Sequence, residues 1–498
     1  MKLEDFSFLD VPVPGVEFDA VVSDSRKAEA GCIFAAVRGN ADDGCAYASA
    51  AVKAGAVAIL CDAEAREAMS GLGVPVVTAP DVRLAMAHLA SMAEGNPSAA
   101  MDVFAVTGTN GKTSVAWILA EMLRAGGRNP GLQTTVAVEY GAVSRRSSRT
   151  TPGACEFQRL MAEMRGAGCD SVVTEASSHA LDQQRLAAVR LAGGIFTNLT
   201  EDHLDYHKTM QNYFDAKKKL FRQLAATTPG APAVVYTDAP GGAEMARFAS
   251  ELPLSVLTAG IGDAPDLFLR AADLRLSDGA STFLLCFGRH RVEVCSKLAG
   301  RHNVANLLCA GAMALACGVE FETVARVMGQ VRPRWGRLER VPGAVPFSVF
   351  VDYAHTDDAL RNVLRALRET CHGKIVVLFG CGGDRDRAKR PLMGAACAEG
   401  ADLLVVTSDN PRSEEPMAII DDILAGIPES ARCYVEPDRR LAIMKALSLA
   451  GPGDAVLIAG KGHETEQIAA GVSVHFDDRE EAAAGIRLLE TKFKTEEC

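Results

Sequence analysis

Short apolar runs recur along the chain, each followed by a turn-forming or polar cluster and then by a stretch with helical spacing. The run DVFAVT at 102–107 passes through the glycine turn GTNGK into TSVAWILAEML, an amphipathic helix pattern. Further strands are predicted at 171–174 (SVVT), 194–197 (GIFT) and 233–236 (AVVY). In the last third, SVFVDY, KIVVLFG, ADLLVVTS and DAVLIAG read as strands separated by helices such as Asp357–Arg368. The first hundred residues hold a smaller unit, in which IFAAV, an exposed loop at 39–44, an Ala-rich helix and AVAIL alternate. Strand–helix alternation predicts mostly parallel sheets covered on both faces. The expected fold is α/β with three domains over 1–99, 100–339 and 340–498.

Composition narrows the class. At 498 residues the chain is too long for one core, and 48% hydrophobic with 23% charged residues is ordinary globular composition. A net charge of −11 argues against nucleic acid or an anionic membrane as the main partner, though a pocket for an anionic small molecule sets its own field. The start, MKLEDFSFLDVPVPG, has acids inside its only apolar patch and reads as neither signal peptide nor anchor. No window approaches the roughly 20 apolar residues of a membrane span, so a cytoplasmic protein is expected. Fourteen cysteines are scattered without a frame, which suits reduced, mostly buried thiols. Cys371-His372 and Cys498 lack zinc-ligand spacing.

The chemistry gathers where strands end. Gly108-Thr109-Asn110-Gly111-Lys112-Thr113-Ser114 lies between a strand and a helix, so backbone N–H groups, the helix amino end and Lys112 all face an anion. A hydroxyl from Thr113 or Ser114 is available to Mg²⁺. The spacing is shorter than GxxxxGK[ST], yet strand, turn, GKT and helix coincide, and a nucleoside triphosphate is the expected ligand. Glu175 follows SVVT, placed to hold Mg²⁺ directly or through water. The run from Asn198 to His207, which includes His203, is too polar for core. Lys217 lies beside the apolar face formed by Tyr213, Ala216, Leu220 and Phe221, although three successive lysines ordinarily mark a solvated helix face.

In this order GTNGKTS, the Glu175 and His203 clusters, AKKKLF at 216–221, GRHNVAN at 300–306, GRLE at 336–339 and DYAH at 352–355 resemble the Mur ligases, the ATP-dependent amide-forming enzymes of peptidoglycan synthesis. Thr150-Thr151-Pro152, SSHALDQQR at 177–185, FGCGGDRDRAKRP at 379–391, DNPR at 409–412 and GKGHE at 460–464 are similar to the branch that extends the UDP-muramoyl dipeptide by one amino acid.

The resemblance implies a small N-terminal α/β domain for the UDP-substrate, a central P-loop parallel-sheet domain for ATP and a C-terminal Rossmann-like domain for the amino acid. It implies phosphorylation of a carboxylate by ATP, then attack by an amine. Lys112 would contact phosphates, Thr113 and Glu175 one Mg²⁺, and His203 a second. Lys217 matches the lysine that is carbamylated in the family. Asn303 and Asn306 match the adenine region, with Arg337, Asp352 and His355 near ribose and phosphates. Ser25 and the loop Asn40-Ala41-Asp42 match the uridine-nucleotide site, and Thr150, Thr151, Ser177, Gln183 and Arg185 the residues that hold UDP-MurNAc-L-Ala-D-Glu. Arg385, Asp409, Asn410, Pro411, Arg412, Gly460 and Glu464 match the amino-acid site. A monomer is expected.

DNPR resembles the signature of members that add meso-diaminopimelate. Arg412 can grip the distal carboxylate that lysine lacks, with Asn410 assisting, while Glu464 receives an ammonium. With lysine, an unpaired guanidinium would cost roughly 1–3 kcal/mol. The structural alternative pairs this Asx-Pro turn with a local acid such as Glu414. Three places depart from the family pattern: Arg149, Asp357 where proline is usual, and Thr237-Asp238-Ala239. The competing readings are a lysine-adding or folylpolyglutamate-type ligase, and a nucleotide-dependent scaffold without catalysis.

Overall fold

The computed structural model describes residues 1–6, 8–10, 15–39, 43–262, 264–277 and 279–496. The loop Asn40-Ala41-Asp42 and Cys498 lie outside the described residues. Three large sheets organise the chain. Strands β1 (Ala20–Val22), β2 (Cys32–Ala35), β3 (Ala58–Cys61) and β4 (Val76–Thr78) form a parallel sheet in sequence order. Cys32, Ile33, Phe34 and Ala35 are all buried, as a strand covered on both faces requires.

The second sheet has eleven strands: β5 (Asp102–Thr107), β6 (Pro130–Gln133), β7 (Ala137–Tyr140), β8 (Val143–Arg146), β9 (Ser171–Glu175), β10 (Leu191–Phe196), β11 (Pro232–Tyr236), β12 (Ser255–Ile261), β13 (Leu269–Ser277), β14 (Ala280–Phe287) and β15 (His290–Ser296). Their order is β15-β14-β13-β12-β11-β10-β5-β9-β6-β7-β8. The strands from β13 across to β6 are parallel, and antiparallel pairs close both edges. β5 sits inside it between β10 and β9, so the loop after β5 opens at the carboxyl ends of parallel strands, where open α/β sheets collect ligands. The helix Lys112–Ala125 buries Val115, Trp117, Ile118, Leu119, Met122 and Leu123 against this sheet. Burial of each large apolar side chain is worth about 1.5–3 kcal/mol, which anchors the loop at the helix amino end.

The third sheet runs β16-β17-β21-β18-β19-β20, made from β16 (Glu339–Arg340), β17 (Ser348–Asp352), β18 (Ile375–Phe379), β19 (Leu403–Val406), β20 (Cys433–Val435) and β21 (Ala455–Ala459). All its pairs except β16–β17 are parallel. A separate hairpin, β22 (Glu466–Ala469) with β23 (Val472–His475), stands beside it. The helix Asp357–Arg368 has the bounds the periodicity predicts, and Thr356 caps it by accepting from the Ala359 N–H.

The strands β12–β15, antiparallel from β13 outward, and the hairpin go beyond the strands named from the sequence. Seven of the thirteen described cysteines are buried, and all thirteen are free thiols. No described helix is long and apolar enough to cross a membrane.

Candidate active site

The loop after β5 is shaped by what packs against it. Gly111 has φ +85°, and a Cβ there would stand 2.4 Å from Asn306 Oδ1. Only glycine fits both demands. Asn306 in turn donates to Asn303 Oδ1 (3.3 Å), and Asn303 to the Ala299 carbonyl (2.9 Å), so both amides lie over the loop on the helix Arg301–Ala316. Lys112 Nζ curls back onto the carbonyls of Gly108 (3.0 Å) and Thr109 (2.7 Å). Burial lowers its pKa, opposed by the charges of Glu175 and Asp202.

Glu175 ends β9 and is buried. Its carboxylate accepts from Thr113 Oγ1 (2.9 Å), the Thr135 N–H (2.7 Å) and Thr135 Oγ1 (3.1 Å). Every donor is neutral, so among the described residues no cation contacts this charge. A hydroxyl and a carboxylate oxygen side by side suit a hard divalent cation such as Mg²⁺. Arg337 Nη2 reaches Thr113 Oγ1 at 3.3 Å, bringing the GRLE segment to the same point.

His203 opens a short helix with φ +57°, its ring 4.7 Å from that of His179 and its Nε2 3.3 Å from Asp202. Burial holds its pKa down at about 4, so the imidazole is neutral and free to ligate. It makes no direct hydrogen bond to Thr113 or Glu175, although Lys112 and Lys217 lie close enough to depress it electrostatically. Among the described residues no three His, Cys, Asp or Glu side chains converge as a metal cluster.

The three lysines of the helix Met210–Thr227 diverge, against the expectation of one solvated face. Lys219 pairs with Asp182 at the surface, and Lys218 with Asp215 and Glu244. Lys217 is 1% exposed, with its nitrogen 4.1 Å from the centre of the Tyr213 ring. Burial, reinforced by Lys112, pushes its pKa well below the usual lysine value. That shift favours the uncharged amine, which is the nucleophilic form.

Thr151 Oγ1 donates to the Glu175 carbonyl (2.7 Å), and Arg185 joins the Thr151 carbonyl (2.9 Å) to Gln183 Oε1 (2.7 Å). Thr150 accepts from Thr135 Oγ1, and Ser177 caps the next helix. Burial, followed by the like charges of Arg149 and Arg83, pushes the Arg185 guanidinium down. Beside them opens a groove of about 1000 Å³ lined by Ser25, Lys27, Arg83, Arg149 and Gln183. Glu156 pairs with Lys27 in this groove, whereas Arg83 and Arg149 have no carboxylate partner among the described residues and suit an anionic ligand.

Past β17, Asp352 accepts from the N–H groups of Leu338 (2.6 Å) and Ala354 (2.7 Å), and His355 Nδ1 meets the Tyr353 carbonyl at 2.8 Å. Tyr353 stands under Arg337 (4.7 Å) and against His463 (4.6 Å). A Cβ on Gly336 would lie 2.2 Å from the Gly462 carbonyl carbon, so the GRLE and GKGHE segments touch backbone to backbone.

The DNPR turn follows β19, with Asp409 and Asn410 buried. Arg412 has φ +53°, and its Nη1 donates to the Gly383 carbonyl at 2.6 Å. Arg412 and Arg385 both flank Gly382. Glu414 is held by the buried Arg390 (2.7 Å), which leaves it no role as partner of Arg412. Asn410 Nδ2 donates to Glu464 Oε2 at 2.7 Å, across 54 residues of sequence.

Sequence reasoning missed five participants. Thr135 holds Glu175, and Asp358 bonds Asn110 and Thr200. Lys461 is buried beneath the amino-acid cluster, inside the GKGHE motif but unremarked there. Trp117, Trp335 and Arg337 line a cavity of about 10 Å³ near Thr113, and the Nε1–H of Trp117 and the Nε–H of Arg337 are buried without a partner.

Known proteins share this arrangement over almost the whole chain. Residues 17–93 match the description "Mur ligase family, catalytic domain", 106–314 the "Mur ligase middle domain", and 336–462 the "Mur ligase, glutamate ligase domain". A protein of Gloeobacter violaceus named UDP-N-acetylmuramoyl-L-alanyl-D-glutamate--2,6-diaminopimelate ligase is 41% identical over 471 residues, covering 94% of each chain. One of the same name from Geobacter metallireducens is 39% identical and covers 99% of each. A solved structure bearing that name superposes with a TM-score of 0.70 at 32% identity, covering 98% of this chain and 99% of the other.

Proposed function

The chain belongs to the Mur ligase family, and on that premise we propose that it joins meso-2,6-diaminopimelate to UDP-N-acetylmuramoyl-L-alanyl-D-glutamate at the expense of ATP. It is an ATP-dependent acid–amino-acid ligase of peptidoglycan precursor synthesis. The observation that carries the choice of amino acid is the DNPR turn, where Arg412 and Asn410 stand at one cluster with Glu464. A guanidinium and a carboxylate together complement a molecule that ends in both an acid and an ammonium.

The reaction has two stages. The γ-phosphoryl group passes from ATP to the terminal carboxylate of the dipeptide, and ADP departs. The amine of the second substrate attacks the acyl carbon, phosphate leaves, and the amine proton is lost as the amide forms. Gly108 to Ser114 cradle the phosphates, with Lys112 lying along the loop. Asn303 and Asn306 meet the base, and Arg337, Asp352 and His355 line the ribose and phosphate path.

Thr113 and Glu175 would hold one Mg²⁺ and His203 another, ions that neutralise charge developing on the phosphoryl group. Burial that favours the uncharged amine of Lys217 suits carbamylation, in which the amine bonds to carbon dioxide and releases one proton. The resulting carboxylate-like group adds negative charge near Lys112. Ser25, Asn40, Ala41 and Asp42 would bind the uridine nucleotide, and Thr150, Thr151, Ser177, Gln183 and Arg185 the muramoyl dipeptide. Arg385, Asp409, Asn410, Pro411, Arg412, Gly460 and Glu464 would bind diaminopimelate. The units 1–99, 100–339 and 340–498 divide this labour, and a cytoplasmic monomer accommodates it.

Phosphate release with ATP, the UDP-dipeptide and each candidate amino acid tests the reading. Diaminopimelate should be used at least tenfold more efficiently than L-lysine, and Arg412→Ala should erase that preference. Equal use of both amino acids by the unmodified protein sinks the assignment of diaminopimelate and leaves the family intact.

A further inference from the structure

Lys461 is fully buried, and its three N–H donors have three acceptors: Asn410 Oδ1 (3.1 Å), Glu464 Oε2 (3.1 Å) and the Glu466 carbonyl (2.6 Å). Asp409 Oδ1 lies 3.7 Å away. The ammonium therefore ties the turn after β19 to the loop after β21 and to the hairpin strand β22.

Two consequences follow from the chemistry of the partners. Asn410 Oδ1 also accepts from the Ile468 N–H (3.0 Å), so its oxygen faces Lys461 and its amide nitrogen is committed to Glu464 Oε2. Both bonds to Glu464 fall on Oε2, and among the described residues Oε1 has no protein partner. The glutamate is 30% exposed, so a fixed carboxylate presents one unused oxygen toward the open side. Charge points the same way. At the ammonium end, Asp409 and Glu464 supply two negative charges and Lys461 one positive, while Arg385 and Arg412 stand apart beside Gly382, so a net negative charge is left there for an incoming ammonium. Without Lys461, the two carboxylates would lose this nearest counter-charge, which would favour the more cationic amino acid.

We propose that Lys461 is a positioning residue for the incoming amino acid: it anchors Glu464 and Asn410 so that Glu464 Oε1 meets the amino acid's ammonium, and it sets the pocket charge that favours a diacid over lysine. The identity of that amino acid rests on the diaminopimelate reading above; the anchoring itself does not.

The test is steady-state kinetics on Lys461→Met, a change that keeps side-chain length and removes the charge. The KM for diaminopimelate should rise about tenfold or more, as loss of a charge-assisted contact implies, while the KM values for ATP and UDP-dipeptide stay within about twofold. The efficiency ratio of L-lysine to diaminopimelate should rise. The effects of Lys461→Met and Glu464→Gln should combine less than multiplicatively in the double variant, because the lysine acts in large part through the glutamate. If Lys461→Met does not fold, Lys461→Gln, which removes the charge but keeps a hydrogen-bond donor, should give the same KM split.

An unchanged KM for the amino acid, equal changes in all three KM values, or multiplicative effects in the double variant would each overturn the proposal. If the unmodified protein prefers another amino acid, the functional reading fails, and the same measurements on that amino acid still decide the role of Lys461.

Discussion

Asp358 Oδ2 accepts a hydrogen bond from Asn110 Nδ2 at 2.8 Å, so a carboxylate on the first helix after β17 clasps the phosphate loop of the neighbouring sheet across 248 residues of sequence. Thr200 Oγ1 (2.7 Å) and Asn362 Nδ2 (3.1 Å) complete its shell. Replacing Asp358 by alanine should raise the KM for ATP several-fold, since hydrogen bonds to a charged group contribute about 1.5–3 kcal/mol. With ATP saturating, the KM for the amino acid should stay within about twofold. Faster tryptic cleavage near 332–340 should accompany the change, read by gel and initial rates.

Lys217→Ala should abolish turnover by at least about a hundredfold, the scale on which loss of one electrostatic contributor registers. Lys217→Arg should not recover it, because a guanidinium cannot form a carbamate. Bicarbonate should stimulate the unmodified protein in carbon-dioxide-depleted buffer and leave both variants unaffected.

Gly111→Ala should cost nucleotide binding more than folding. Its φ of +85° strains any other residue, by about 1–3 kcal/mol. The added methyl would also push Asn306 away from the loop. Equilibrium titration with a fluorescent ATP analogue should detect no saturable binding, while the thermal midpoint drops by only a few degrees.

His302 gives stability a pH dependence. Burial lowers its pKa from 6.5 to about 4, so as pH falls through that window the unfolded chain takes up the proton before the folded chain does. Stability is then lost on acidification, with a slope of up to about 1.4 kcal/mol per pH unit for one proton. His463, held at about 3, adds a slope of the same sign. Urea denaturation at pH 7, 6 and 5 should show the decline, and His302→Gln should flatten it in part.

The strands around β5 and in the third sheet were legible because each is a short apolar run bounded by turn residues. The helix Asp357–Arg368 was legible because its periodicity and Thr356 cap are local signals. The edge strands β13, β14 and β15 were not named, although Leu269–Ser277 does alternate; their identity depends on pairing with one another rather than on any run of apolar residues. Residues of the candidate site that sit in linear motifs were named from the sequence. Those that act by meeting a distant partner were not. Nothing in AKKKLF says which lysine turns inward, since that is fixed by how the helix docks on the sheet. Lys461 and Asp358 look like ordinary charges until the chain brings Asn410 and Asn110 to them.

The backbone contact between Gly336 and Gly462 means that the GRLE and GKGHE segments, proposed to face the nucleotide and the amino acid, have no slack between them. A compound that wedged this seam open by the width of a methyl group would disturb both halves of the reaction without resembling either substrate. Inhibition of that kind would not be relieved by raising the concentration of ATP or of the amino acid.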